Sequence, residues 1–132
     1  MRRRHLAALS LLAPSLLAAQ PTGALQRAMN RARELRDEAR RAGDQPYGAV
    51  VLRGESIVGE APSRVVTAND PTAHAEMEAL RDAARRLGNR DLSGCVLVST
   101  ARPCHMCEGA AGWARIERMV HGDALTDAGR PS

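Results

Sequence analysis

The chain has 132 residues, 44% of them hydrophobic and 26% charged, which is one domain of ordinary globular composition and excludes a disordered tail, a collagen-like repeat and a coiled coil. Three Cys are too few for the disulfide framework of a small secreted domain, and one Trp, one Tyr and no Phe argue against an RNA-binding surface of stacked aromatics. The formal charge of +4 sits at the N-terminus: residues 1–20 hold three Arg and no acid, whereas the remainder carries 16 Arg against 15 acidic residues and has no electrostatic claim on nucleic acid.

Residues 1–20 read as an export signal. Arg2, Arg3 and Arg4 are followed by an apolar run from Leu6 to Leu17 and by the small residues Ala18 and Ala19, the order of n-region, h-region and cleavage region. Pro14 interrupts the run, which is too short to span a bilayer as a helix. The paired arginines resemble a twin-arginine signal, which exports proteins already folded, so the expected location is periplasmic. A mis-set start codon is the competing reading and would leave the protein cytoplasmic.

The rest of the chain, residues 21–132, reads as a single unit. Leu25, Ala28, Met29, Ala32, Leu35, Ala39 and Ala42 recur in steps of three and four, which predicts an amphipathic helix ended by Gly43. Gly48–Leu52 and Ser56–Gly59 read as two strands of a hairpin around Arg53-Gly54-Glu55. Asp70-Pro71-Thr72 opens a second helix that runs to Leu87, with Ala75, Ala79, Leu80, Ala83, Ala84 and Leu87 inward, and Gly88-Asn89 stops it. Cys95–Ser99 is a Val-rich strand, a third helix runs from near Cys104 to about Arg115, and Ile116–His121 is the last strand. After Gly122 the chain is polar and turn-rich. Helices alternating with strands imply an α/β fold, a three-layer α/β/α sandwich around a central mixed sheet of about four strands.

Two segments carry the chemistry. His74-Ala75-Glu76 lies at the start of the second helix and Pro103-Cys104-His105-Met106-Cys107 at the start of the third. Cys104 and Cys107 are three apart, so a helix places both on one face. With His74 they make three ligands for a tetrahedral zinc, and the fourth position is left to water, as in catalytic rather than structural zinc sites. Both segments sit at helix N-termini, where the dipole favours thiolates. Glu76, two residues from His74, projects elsewhere and remains free as a proton carrier. The bland alternative is a carboxylate that only favours the helix start.

H-x-E followed by P-C-x-x-C is the signature of the zinc nucleobase deaminases. The segments TANDPTAHAEMEALRDAA, LGNRDLSGCVLVST, PCHMCEGA and WARIERMVHG resemble the cytidine deaminase-like superfamily, within it the branch of guanine, cytosine and tRNA adenosine deaminases. The resemblance covers residues 24 to 122, nearly all of a CMP/dCMP-type deaminase domain at 21–132. It implies the cytidine deaminase-like fold and one Zn²⁺ per chain on His74, Cys104 and Cys107. Glu76 then takes a proton from the zinc-activated water and delivers protons to the ring nitrogen and to the departing ammonia. Backbone N–H groups near Ala75 and Cys104 are expected to bind a ring oxygen or developing charge. The implied partner is a small nucleobase or nucleoside, with Trp113-Ala-Arg-Ile tilting toward guanine, and the relatives usually form homodimers.

Three departures from the family pattern bear on substrate. Ser63 stands where an Asn normally contacts the base, and a hydroxyl reaches less far than an amide. Arg102 replaces the Glu that commonly precedes Pro-Cys. The relatives continue past this C-terminus with a further strand and helix that help close the pocket, so a partner is expected to supply the lid or the pocket lacks one. Asn69 and Asp70 either border the pocket or form the turn and cap of the second helix. His105 reads as a rim residue, Cys95 as a buried hydrophobe, His121 as structural or solvent-exposed and Trp113 as a packing residue. Other readings stay open: a tRNA-specific adenosine deaminase, a zinc-binding relative without catalysis, and a thiol–disulfide oxidoreductase, which explains Cys104 and Cys107 but leaves His74 and Glu76 idle.

Overall fold

The structure, a computed structural model, describes residues 22–132. The stretch read as an export signal lies outside the described residues. Among these, no helix is long and apolar enough to cross a membrane.

Eight elements follow one another: α1 (Thr22–Arg41), β1 (Gly48–Arg53), β2 (Ser56–Pro62), α2 (Ala75–Leu87), β3 (Cys95–Ser99), α3 (His105–Trp113), β4 (Arg118–His121) and β5 (Thr126–Gly129). The strands form one mixed sheet in the order β2-β1-β3-β4-β5. β1 runs antiparallel to both β2 and β3, β3 and β4 are parallel, and β4 and β5 are antiparallel. The parallel pair needs a crossover, and α3 provides it.

Because side chains alternate across a strand, each central strand feeds two cores. Val50 and Leu52 of β1, Val96 and Val98 of β3 and Val120 of β4 pack beneath the Ala24, Ala28, Met29, Ala32 and Leu35 stripe of α1. Ala49 and Val51, Cys95 and Leu97, and Met119 point the other way, onto Ala75, Ala79, Leu80 and Ala83 of α2 and Ala111 of α3. β1 and β3 are therefore continuous apolar runs, the pattern of strands covered on both faces. Cys95 is buried there, where desolvation pushes its thiol up.

The helices approach closely because two strand positions lack a side chain. A Cβ on Gly59 would lie 2.6 Å from the Ala79 carbonyl oxygen and from the Ala83 nitrogen, and one on Gly48 would collide with the backbone of α1 at Ala32 and Arg36.

The structure departs from the sequence reading in several places, and β2 runs on to Pro62 rather than stopping at Gly59. The sheet has five strands rather than about four, because Thr126–Gly129 pairs with β4 through its backbone while its side chains stay largely exposed. A polar edge strand of this kind carries no hydrophobic period to read. α2 starts at Ala75, not at Asp70: the Asp70 carboxylate accepts the N–H and the hydroxyl of Thr72, both at 2.8 Å, and this Asx turn holds the preceding loop out of the helix. α3 ends at Trp113 and β4 begins at Arg118; Arg115 between them adopts φ 62°, which breaks both. Trp113 does not pack but is 92% exposed, since the buried face of this short helix runs through Cys107 and Ala111 and a residue two positions on points away.

Replacing Gly59 by Ala is expected to destabilise the fold by roughly 1–3 kcal/mol or more, because backbone atoms on α2 must move to admit the methyl group. Thermal unfolding of the variant beside an Ala-to-Gly control on the exposed surface measures this.

Candidate zinc site

Antiparallel pairing of β1 with β3 brings the start of β1 beside the end of β3, where Ala49 faces Ser99. Beyond that edge the Gly48 N–H donates to Thr100 Oγ1 at 3.2 Å, and the Thr100 N–H donates back to the Gly48 carbonyl at 3.1 Å. The N-termini of α2 and α3 open toward the same edge. Their N-cap positions are held by His74 and Cys104, neither of which makes a side-chain cap hydrogen bond. A conventional capping residue would spend its side chain on its own helix; these two are free to turn toward each other.

They do so, together with Cys107 one turn into α3. His74 Nδ1 lies 3.7 Å from Cys104 Sγ and 3.6 Å from Cys107 Sγ, and the two sulfurs are 3.6 Å apart. Tetrahedral zinc with ordinary bond lengths requires about 3.8 Å between two thiolates and about 3.6 Å between a thiolate and an imidazole nitrogen. The donor set and its spacing fit one Zn²⁺. A disulfide demands sulfurs about 2.05 Å apart, and both cysteines are free. Burial first, and then the neighbouring Glu76 carboxylate, push the Cys107 thiol well above the ordinary range. A coordinating cation reverses that penalty and deprotonates the thiol.

Beside the three donors lies a cavity of about 320 Å³, at the small end of the roughly 300–1,000 Å³ typical of ligand pockets. His74, Ala75, Glu76 and Cys104 line its metal end. Gln45, Tyr47, Ala101 and Arg102 line the rest. Glu76 is only 7% exposed. Burial pushes its carboxyl up, against the opposing pull of its own backbone N–H, of Cys107 and of the His74 charge. A carboxyl displaced toward neutrality in this way is suited to exchanging protons with a neighbour.

Of the other residues singled out from the sequence, Ala75 lies in the cavity wall and is fully buried. Ser63 is 2% exposed, and its hydroxyl donates to Asp44 Oδ1 at 2.9 Å. Asn69 is exposed in the loop before α2 with φ 50°, its N–H donating to the Val66 carbonyl at 3.1 Å. His105 is exposed at the first position of α3, and His121 ends β4 opposite Thr126.

Gln45 and Tyr47 were not legible as site residues, because nothing in a Gln-Pro-Tyr turn marks it as a cavity wall. Their anchor, Asp44, was read only as part of a turn. α1 ends through Gly43, whose left-handed φ of 77° lets the chain reverse, and Asp44 follows, nearly buried. Its Oδ1 accepts the Gln45 N–H at 2.8 Å and the Ser63 hydroxyl; its Oδ2 accepts the Val66 and Thr67 N–H groups at 3.1 and 2.7 Å. Burial opposes ionisation here, but these bonds outweigh it and hold the carboxyl well below the usual carboxylate range.

Two measurements check this geometry. Replacing His74, Cys104 or Cys107 singly removes a ligand from the metal, so zinc content by plasma mass spectrometry should fall from about one per chain to a small fraction of that. The folded-state pKa of Asp44 lies below its unfolded value of about 3.9, so its tether contributes fully above that pH and is lost as the pH falls toward the folded value. Asp44→Asn should therefore lower Tm by roughly 5–10 °C at pH 7, and the difference should shrink below about pH 4.

The family described as the cytidine and deoxycytidylate deaminase zinc-binding region matches residues 23–123. A guanine deaminase of Bacillus subtilis is 43% identical over 83 residues, 63% of this chain and 53% of that protein. A tRNA-specific adenosine deaminase of Aquifex aeolicus is 43% identical over 86 residues, 63% of this chain and 57% of that protein. The chain thus spans about half the length of these relatives. A solved structure from a study of A-to-I editing by tRNA:A34 deaminases superposes with a TM-score of 0.71 at 34% identity, over 74% of this chain and 70% of the other. With the family match over most of its length and the donor set in place on two helix N-termini, the chain belongs to the zinc-binding cytidine and deoxycytidylate deaminase family, in the cytidine deaminase-like superfamily.

Proposed function

We propose that this chain is a zinc-dependent hydrolytic deaminase of a free nucleobase or nucleoside, with a guanine-like ring favoured. The observation that carries this reading is the buried Glu76 carboxyl lining one small cavity together with His74 and Cys104, two of the three donors in the His74, Cys104 and Cys107 set. When bound, the metal lowers the pKa of a coordinated water toward neutrality and supplies the nucleophile.

The chain's own residues do the remainder. Glu76 accepts a proton at its carboxylate and passes it to the ring nitrogen beside the amine-bearing carbon, and then carries the second proton to the amine. Oxygen from water is gained at that carbon, the C–N bond breaks, and ammonia leaves. Backbone N–H groups at the start of α2, where Ala75 and Glu76 line the cavity, are available to stabilise a ring oxygen or developing negative charge. Cavity size supports a single planar ring system, and the balanced charge of residues 21–132 supports a small neutral substrate over a polyanion.

A tRNA substrate is the second reading, favoured by the equal identity to the tRNA-specific relative. An ammonia-release screen of guanine, cytosine, adenine and their nucleosides, run beside a tRNA substrate, separates the two. Turnover of a free base or nucleoside is the expected result, and inosine formed in tRNA with no free base consumed overturns it.

Glu76→Gln keeps size and hydrogen bonding but removes the titrating group. Turnover should fall by at least roughly 10²–10⁴-fold with zinc content and Tm close to wild type. Near-normal turnover overturns the proton-carrier role, and a wild-type protein that binds zinc without turning over any substrate is the non-catalytic relative.

The assembly proposed is a homodimer. Support comes from the outer side of α3, where Trp113 and Met106, seven positions apart, are both exposed on one face. Exposed Trp flanked by Arg is the composition of interface hot spots, and Arg115 lies two residues on. Sedimentation should show a dimer that Trp113→Ala weakens; a compact, active monomer overturns the assembly.

A further inference from the structure

We propose that Gln45 and Tyr47, set in place by Asp44, form the specificity-determining wall of the zinc-site cavity, and that Ser63 is a strut behind that wall rather than a contact to the ring. The proposal rests on the deaminase reading above and names the residues that choose its substrate.

Ser63 has little left to offer a ligand. A hydroxyl carries one proton, and this one is donated to Asp44 at 2.9 Å in a nearly closed environment. Its backbone N–H is also committed, to the Tyr47 carbonyl at 3.0 Å. Both bonds run from Ser63 to the turn that carries the wall.

Gln45 and Tyr47 are in the opposite condition. Both line the cavity, both are exposed to it, and neither side chain has a hydrogen-bond partner among the described residues. The Gln45 amide presents a donor beside an acceptor, the complement of a base edge that shows an acceptor beside a donor. The Tyr47 ring, 43% exposed, offers an aromatic face and a hydroxyl. Together they can recognise a planar heterocycle by its edge and its face.

A wall of two exposed side chains discriminates only if its backbone is fixed. Asp44 anchors the Gln45 N–H at 2.8 Å; the Tyr47 N–H then closes on the Gln45 carbonyl at 2.8 Å, and Gly48 is tied to Thr100 at the end of β3. Through its other oxygen Asp44 pulls the Val66 and Thr67 backbone onto the same point. One carboxylate thus joins the end of α1, the turn before β1 and the loop after β2.

The test uses the zinc-loaded full chain and three variants, Gln45→Ala, Ser63→Ala and Asp44→Asn, with guanine, cytosine and adenine as successive probes. On a base that turns over, Gln45→Ala and Asp44→Asn should raise KM about tenfold, the loss expected for one hydrogen bond, with kcat within about threefold and zinc content unchanged. Ser63→Ala should shift KM by less than about threefold, because the other bonds to Asp44 remain. Tyr47 is the only tyrosine in the chain, so in ¹³C-tyrosine-labelled protein one ring signal reports the wall without any turnover; Asp44→Asn should shift it. A Ser63→Ala enzyme whose KM rises as far as that of Gln45→Ala overturns the proposal, as does a Gln45→Ala enzyme of normal KM or an unmoved Tyr47 signal in Asp44→Asn. If no base is turned over, the deaminase reading fails on its own, and the Tyr47 signal still decides whether Asp44 sets the wall.

Discussion

Three soft and borderline donors must meet at bonding distance around one cation, and two of them sit at the N-cap positions of separate helices. His74 and the two thiols meet only because α2 and α3 bring their N-termini to the same end of the sheet, so their positions depend on how both helices pack. The tolerance is tight, since zinc–ligand distances vary by only about 0.2 Å. Each helix contributes its exposed backbone N–H groups and positive dipole end to the same point, which lowers the cost of gathering negative charge there. The buried Cys107 thiol and the buried Glu76 carboxyl are both pushed up by desolvation, and the Glu76 carboxylate pushes the Cys107 thiol up further. A divalent cation makes that pairing sustainable.

The sheet supplies the precision. β1 and β3 are buried on both faces, and their side chains lock into α1 on one side and into α2 and α3 on the other. Most of the contacting residues on the helices are alanines, so the helices lie close to the sheet and have little freedom to tilt. Gly48 and Gly59 extend that closeness to the strands, where even a methyl group would meet helix backbone. A chain almost without aromatic side chains reaches a dense core by shortening distances rather than by filling them.

Asp44 extends the same rigidity to the part of the cavity that lies outside the sheet. The turn before β1 and the loop after β2 have few apolar residues to bury, and a single carboxylate with four hydrogen bonds replaces packing as the restraint. The metal end of the cavity is thus held by the core and the opposite wall by one polar anchor.

The sequence by itself determined the layer order and singled out the three donors that the structure gathers, with Glu76 beside them. These rest on local rules: a His and a Cys-x-x-Cys at helix starts, period-3.6 and period-2 runs, and Gly43 and Gly88 as stops, each readable over a few residues. Tertiary structure decided what local rules do not encode. β5 exists because β4 offers an unpaired edge, and its polar residues join through backbone groups that any sequence possesses. Trp113 faces solvent because the burial of α3 is set by the ligand Cys107 and by Ala111, not by the most hydrophobic residue on the helix. Gln45, Tyr47 and Ser63 acquire their surroundings from strand pairing between positions up to 52 residues apart, as in the Gly48–Thr100 bond. Side chains in turns have no periodicity to betray their direction, and only the closing of the sheet decides which of them borders the cavity and which is spent on holding it.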